Sequence, residues 1–345
     1  MLRTKSFSLP VLLCAVLLLT ACVETRPLMR IDSTLDGTPL EQKNDAATQE
    51  KLRTIAAIQE RLDHVSAPLL IKNQDLCKKL ARPLLGFTAK NKYSYSPKLA
   101  SAAQEALGLG ELLQVTGTMT GSGAARSGLR RGDSLIAAGN KPMPKGPNAE
   151  YDAPDVIVPL LIGQSSIKLT VLRNGKSMAV SIPLTRACGF RIELGNTDKV
   201  NSYSDGSRIM VTRGMMQFVR SDDELAYVIA REMAHNALGH AIRQRTADAS
   251  SETINSLMQV FPYDRSIDIA AMPKEKDAAA DRMALFMLSR TAHNLDGVTA
   301  FWQRVAKQAG DHTAMHPATE YRLAAINKTL AELKARKSGN KTSSK

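Results

Sequence analysis

The sequence predicts an α+β protein: a mostly helical domain with a short sheet, preceded by a small β-rich domain. Three observations carry this. Apolar residues recur at helical spacing between 40 and 80. From Leu107 to about Leu184 the pattern turns to period two with frequent glycine. After Ser221 helical periodicity returns and dominates the chain.

The elements follow in order. Arg3 and Lys5 precede an apolar run from Leu9 to Cys22, too short for a lasting transmembrane span and shaped as an export signal. "LTAC", Leu19–Cys22, resembles a bacterial lipobox, which implies removal of residues 1–21 and lipidation of Cys22; an ordinary signal with an incidental cysteine is the alternative. Val23 after the cysteine points to the periplasmic side of the outer membrane, ahead of the inner membrane. Residues 22–39 lack periodicity and read as a tether. In 40–104, Ile55, Ile58 and Leu62 form an apolar helix stripe, with Lys51, Arg53, Glu60 and Arg61 for the polar faces. Asp75–Leu80 reads as a second helix, and "NKYSYSPK" as loop or edge strand.

Residues 105–185 hold "ELLQVTGTM" as a strand, "GSGAARSGLRRGD" as loop, short helix and tight turn, and "SLIAAGN" as another strand. "DVIVPLLI" suits a short buried helix, and "IKLTVLRNGKSMAVSIPL" a hairpin about Asn174-Gly175. This order resembles a PDZ domain, whose S-x-A-x-x-A-G-L-x-x-G-D element is matched by Ser122, Ala124, Ala125, Gly128, Leu129, Gly132 and Asp133, with Ser127 replacing an alanine. The resemblance implies a small β-barrel that binds extended peptides by strand addition, with Gly108, Leu109 and Gly110 as the carboxylate cradle. A β-domain acting only as a spacer is the alternative.

In 186–335, Lys199–Tyr203 and Arg208–Thr212 read as short strands about Asp205-Gly206. Ser221 and Glu224 form a capping box for a helix that buries Leu225, Val228, Ile229 and Met233 and ends at Gly239. That helix carries "REMAH", Arg231–His235. With His in place of Arg231 it would be the H-E-x-x-H helix of a zincin, where two histidines bind zinc and the glutamate acts as general base. The stretches "NSYSDG", "VTRGMM", "DDELAYVIAREMAHNALGH", "DAAADRMAL" and "HPATEYR" together resemble the M48 family of zinc metallopeptidases, closest to periplasmic members with a PDZ domain, over about 40–330. The resemblance makes Glu232 the general base, and His235, Asp277 and His316 metal-position residues. Asp281 and Arg322 stand behind them as orienting groups.

Two departures matter. Arg231 stays protonated and cannot ligate zinc, and Asp277 is a methylene shorter than the family's glutamate. Arg231 is expected to fill the metal position and pair with Asp277 or Glu232, or else to extend out of the cleft. His240, five residues past His235, is expected on another helix face. His64, His293 and His312 read as surface or packing residues.

Of four cysteines, Cys14 leaves with the signal and Cys22 takes the lipid. Cys77 and Cys188 remain, as a disulfide or as two buried thiols. The formal net charge of +13 suits anionic lipid or envelope polymers. Nucleic acid is not an expected partner: no zinc-finger spacing, aromatic ladder or basic recognition helix is present. Residues 336–345 read as a solvated, disordered tail. The favoured function is an impaired or inactive metallopeptidase-fold lipoprotein that binds envelope proteins or peptides and uses no cofactor. The alternative is a Zn2+ endopeptidase of envelope protein quality control with an altered site.

Overall fold

A computed structural model describes residues 46–240, 271–308 and 315–342. The signal, Cys22, the tether and His312 lie outside the described residues. Among the described residues no helix is long and apolar enough to cross a membrane.

Helix α1 (Ala46–Lys72) is the spine. Its C-terminal half buries Leu62, Val65, Leu69 and Leu70 in the main core, and each such side chain stabilises by roughly 1.5–3 kcal/mol. Its N-terminal half buries Leu52 against Leu99, Ala102 and Ala103 of a small second helix, α2 (Ala100–Leu107), and its approach. The α1 end is finished by Asn73, whose side-chain amide donates to Leu69 O at 2.9 Å and to Met287 O at 3.2 Å. The expected second helix at Asp75–Leu80 is instead a run of turns ending in a 3-10 turn at Lys78–Leu80. The chain needs this reversal to enter β1 (Ala81–Leu84), which pairs antiparallel with β8 (Thr185–Cys188). Beside that ribbon Cys77 and Cys188 form a disulfide, with Cα atoms 5.6 Å apart.

Between β1 and β8 the chain builds a six-stranded sheet. Its strands are β2 (Phe87–Lys90), β3 (Gln114–Thr118), β4 (Ser134–Ala138), β6 (Ser166–Arg173) and β7 (Lys176–Pro183), in that order, with β5 (Lys141–Pro142) also on β4. The β6–β7 hairpin turns at Asn174 and Gly175, both at positive φ, as an Asn-Gly hairpin requires. A core of its own includes Val115, Ala124, Leu135, Leu169, Val171 and Ile182.

Among the described residues the sheet is open, with β2 and β7 at its edges, and not the closed barrel expected. It also begins upstream of residue 105, because the four residues of β2 are too few to display an alternation. The "GSGAARSGLRRGD" element forms α3 (Gly123–Arg126), capped by Ser122, then a turn held by Asp133. The Asp133 carboxylate accepts from Arg130 N at 2.8 Å and from Arg173 Nε and Nη2 at 2.6 Å each. Gly123 has a steric reason: a Cβ there would stand 1.7 Å from Pro183 O. Helix α4 (Ala149–Ile157) starts earlier than expected and runs on as a 3-10 turn to Leu161. It is not buried. Tyr151, Val158 and Ile162 face solvent, since only one side of this helix meets the sheet.

The main core lies beyond the disulfide. Strand β9 (Arg191–Gly195) pairs parallel with β11 (Arg208–Thr212), whose other neighbour is β10 (Ser202–Ser204). Short helix α5 (Arg213–Phe218) follows. Then come α6 (Asp222–Leu238), α7 (Lys274–Ser289), α8 (Val298–Ala306) and α9 (Thr319–Thr342), the last continuing as helix through 336–342, where the sequence predicts a disordered tail. Helix α6 is the central element, buried from Leu225 to Asn236.

Candidate functional site

Ser221 opens α6 by accepting from Glu224 N at 3.2 Å. The Glu224 carboxylate reaches back to Arg220 N at 2.7 Å, so it caps one residue earlier than a standard box. With register fixed there, α6 presents Arg231, Glu232 and His235 to α7, which contributes Asp277 and Asp281 one turn apart. His316, just before α9, and Arg322, in its first turn, close the cluster. All seven side chains are buried.

Arg231 lies at the centre, 1% exposed. Its Nη2 donates to Asp277 Oδ1 at 2.6 Å, its Nη1 to Glu232 Oε1 at 3.2 Å, and its Nε to Asp281 Oδ1 at 3.2 Å. Arg322 adds a two-bond fork onto Asp281, at 2.7 and 2.9 Å. Glu232 is held from behind by Ser202 Oγ at 3.0 Å. The Trp302 ring of α8 supports both guanidiniums, 5.4 Å from Arg231 Cζ and 5.1 Å from Arg322 Cζ. Each carboxylate thus meets a buried cation, which is the condition for keeping charges in an interior. Arg231 does not extend out of the cleft.

Burial, then the neighbouring Arg231 and Arg322, hold the His316 imidazole well below its usual pKa. It is therefore neutral, and its Nδ1 lies 2.8 Å from both Asp277 Oδ1 and Arg231 Nη2, so its tautomer decides which of the two it bonds. Burial raises the Asp277 carboxyl above its ordinary value, against the pull of Arg231. His235 is likewise held well below 6.5, by burial first and Arg231 second. Its Nδ1 sits 3.1 Å from His240 Nδ1, so one ring donates and the other accepts. Its Nε2 has no hydrogen-bond partner among the described residues; Asp277 Oδ1 is 3.5 Å away, too far for a good bond.

His240 was expected on another face. The helix ends at Leu238, and Gly239, at φ 70°, turns the chain back over α6. The 100° step therefore stops applying two residues before His240. Ser202 and Trp302 were not legible as site residues; the distance in sequence between β10, α8 and α6 hides them. His64 bonds Thr120 and His293 bonds Asp223, as packing or surface residues would. Gly108, Leu109 and Gly110 do not form an open cradle. Gly108 is the left-handed cap of α2, Leu109 is 2% exposed among Leu52, Tyr95 and Leu99, and Gly110 O accepts from Lys92 N.

The donor set can be tested against a metal ion. Any cation reaching Asp277 Oδ1 or His316 Nδ1 would meet Arg231 Nη2, which stands 2.6 and 2.8 Å from those atoms. As arranged, these residues fit a guanidinium and not a second cation. Among the described residues no group of three or more His, Cys, Asp or Glu is set to hold a metal.

A pH dependence follows from the two buried histidines. Their folded pKa values lie below the unfolded 6.5, so the unfolded chain binds more protons in acid. Their contribution is full above pH 6.5 and is lost as pH falls below it. Two such groups cost about 2 kcal/mol between pH 6.5 and 5.5. The raised Asp277 acts with the opposite sign, from 3.8 up to its folded value. Urea unfolding at both pH values checks this, and an unchanged midpoint refutes it.

Residues 169–330 match peptidase family M48. That segment is thus similar to the family, and the likeness supports a metallopeptidase-like fold for it. The match starts inside β6, so it takes in the β6–β7 hairpin as well as the helical core. No curated protein matches the chain.

Proposed function

We propose that this protein is a non-catalytic member of the metallopeptidase fold, lipid-anchored in the bacterial envelope, which binds envelope proteins or peptides without cleaving them. The observation that carries this is Arg231. Its guanidinium takes the place of a metal ligand and is bonded to Glu232, Asp277 and Asp281. A general base needs a water to act on, and here Glu232 is engaged by Arg231 and Ser202. Peptide capture is assigned to the open six-stranded sheet. Its edge strand β2, entered through Gly86 at φ 77°, has backbone for strand addition. Leu85, Phe87, Val156 and Ile157 pack, partly buried, against the core of the same sheet.

One observation favours the alternative, an active zinc endopeptidase: the His235 Nε2 that finds no partner. The experiment is elemental analysis of the gently purified protein, then zinc titration and peptide cleavage. The expected result is less than about 0.1 zinc per chain and no chelator-sensitive cleavage. Arg231→His should introduce zinc binding, and adding Asp277→Glu should tighten it, because both changes rebuild one shell. Stoichiometric zinc in the wild type, with cleavage abolished by Glu232→Gln, would establish the peptidase.

A further inference from the structure

A concentration of uncompensated positive charge lies at the opposite end of α7 from the buried cluster. An open groove of about 940 Å3 is lined by Ile71, Lys72, Gln74, Asp75, Lys78, Arg186 and Arg290. It holds four cations against one carboxylate. Asp75 is committed to Arg290, at 2.6 Å. Lys72, Lys78 and Arg186 make no ion pair among the described residues. Three elements bring them together: Lys72 ends α1, Lys78 sits in the 3-10 turn, and Arg186 is on β8.

Two features show that this convergence is fixed by the fold. The Cys77–Cys188 disulfide joins the residue beside Lys78 to the strand that carries Arg186. Lys78 also holds φ at 49°, a left-handed conformation that a lysine adopts only when its surroundings impose it. A third feature concerns the ligand. Gln74 lines the groove, and its side-chain oxygen, out of contact with solvent as it stands, accepts no hydrogen bond among the described residues, so a turn of that side chain offers a bound headgroup a vacant acceptor.

We propose that this groove binds the phosphate-bearing headgroup of an anionic membrane lipid, with Lys72, Lys78 and Arg186 on the phosphodiester and Gln74 accepting from a headgroup hydroxyl. Charge selects the phosphate, since the groove carries an excess of three positive charges. The vacant acceptor selects a hydroxylated headgroup over a bare ion. The formal net charge of +13, of which +11 remains without Arg3 and Lys5 of the signal, favours the same kind of surface. The inference goes beyond the proposed peptide-binding role and does not depend on the state of Arg231.

The test uses the full chain in an uncharged detergent, with native mass spectrometry to count retained lipid. Phosphatidylglycerol and phosphatidylcholine are added at equal mole fraction. The expected result is one phosphatidylglycerol per chain, retained at least tenfold over phosphatidylcholine. Lys78→Glu with Arg186→Glu should cut retention at least tenfold, and so should the milder Lys78→Gln with Arg186→Gln, at unchanged melting temperature. Lys98→Glu, outside the groove, should leave retention as in the wild type. Equal retention of both lipids overturns the proposal. So does wild-type retention by both groove variants, an equal loss in Lys98→Glu, or displacement of the lipid by inorganic phosphate at the same concentration.

Discussion

Arg231→Met should destabilise the protein by about 3–5 kcal/mol, the cost of removing one partner from a buried charge network. The arginine is 1% exposed and touches three carboxylates. Methionine fills much of the volume and supplies no donor. Asp281 keeps the Arg322 fork and Glu232 keeps Ser202, but Asp277 keeps only neutral His316. The damage should therefore centre on Asp277. Adding Asp277→Asn to Arg231→Met should recover more than half of the loss, because the charge left unpaired is then gone. A double-mutant cycle measures this directly, and a coupling of at least about 2 kcal/mol is expected for such neighbours. Arg231→Lys should fall between, because an ammonium cannot make the forked contacts to Asp277 and Asp281 together. A loss under 1 kcal/mol in Arg231→Met, or additive effects in the cycle, would mean that Arg231 does not hold the cluster together.

The same residues show what the sequence could and could not reveal. Arg231, Glu232, His235, Asp277, Asp281, His316 and Arg322 were all legible, since they stand at motif positions on or beside helices whose spacing the sequence displays. The structure brings all seven together. His240 was misplaced because a helical-wheel argument presumes that the helix continues, and Gly239 ends it. Trp302 and Ser202 carry no local signal: what makes them site residues is the packing of α8 and β10 on α6. The hairpin at Asn174-Gly175 was legible from turn chemistry. Strand β2 and the open edge it leaves were not, because strand pairing between Ala89 and Val115 is a long-range fact. The cradle expected at Gly108–Gly110 failed for a related reason. A Gly-x-Gly pattern serves equally as a helix stop, and α2 ends there.

Removing the disulfide by Cys77→Ala with Cys188→Ala should cost about 3–5 kcal/mol. The bridge spans 111 residues and encloses the whole six-stranded sheet. In the chain-entropy account, freeing a loop of that size gives the unfolded state about 4.7 kcal/mol. Alanine is the right replacement, since both cysteines are at most 1% exposed and a serine hydroxyl would add its own desolvation cost. The folded state should change little. Strands β1 and β8 still pair from Ala81↔Cys188 to Leu84↔Thr185, and Asn73 still fixes the end of α1. The urea midpoint should therefore drop, while the native circular dichroism spectrum stays the same. Kinetics separate the causes: a loss confined to the folding rate means that the β1–β8 ends already meet in the transition state. A loss confined to unfolding means that the ribbon closes last. An unchanged midpoint in the double variant would show that the ribbon alone joins the sheet to the helical core, and that the loop entropy is compensated elsewhere.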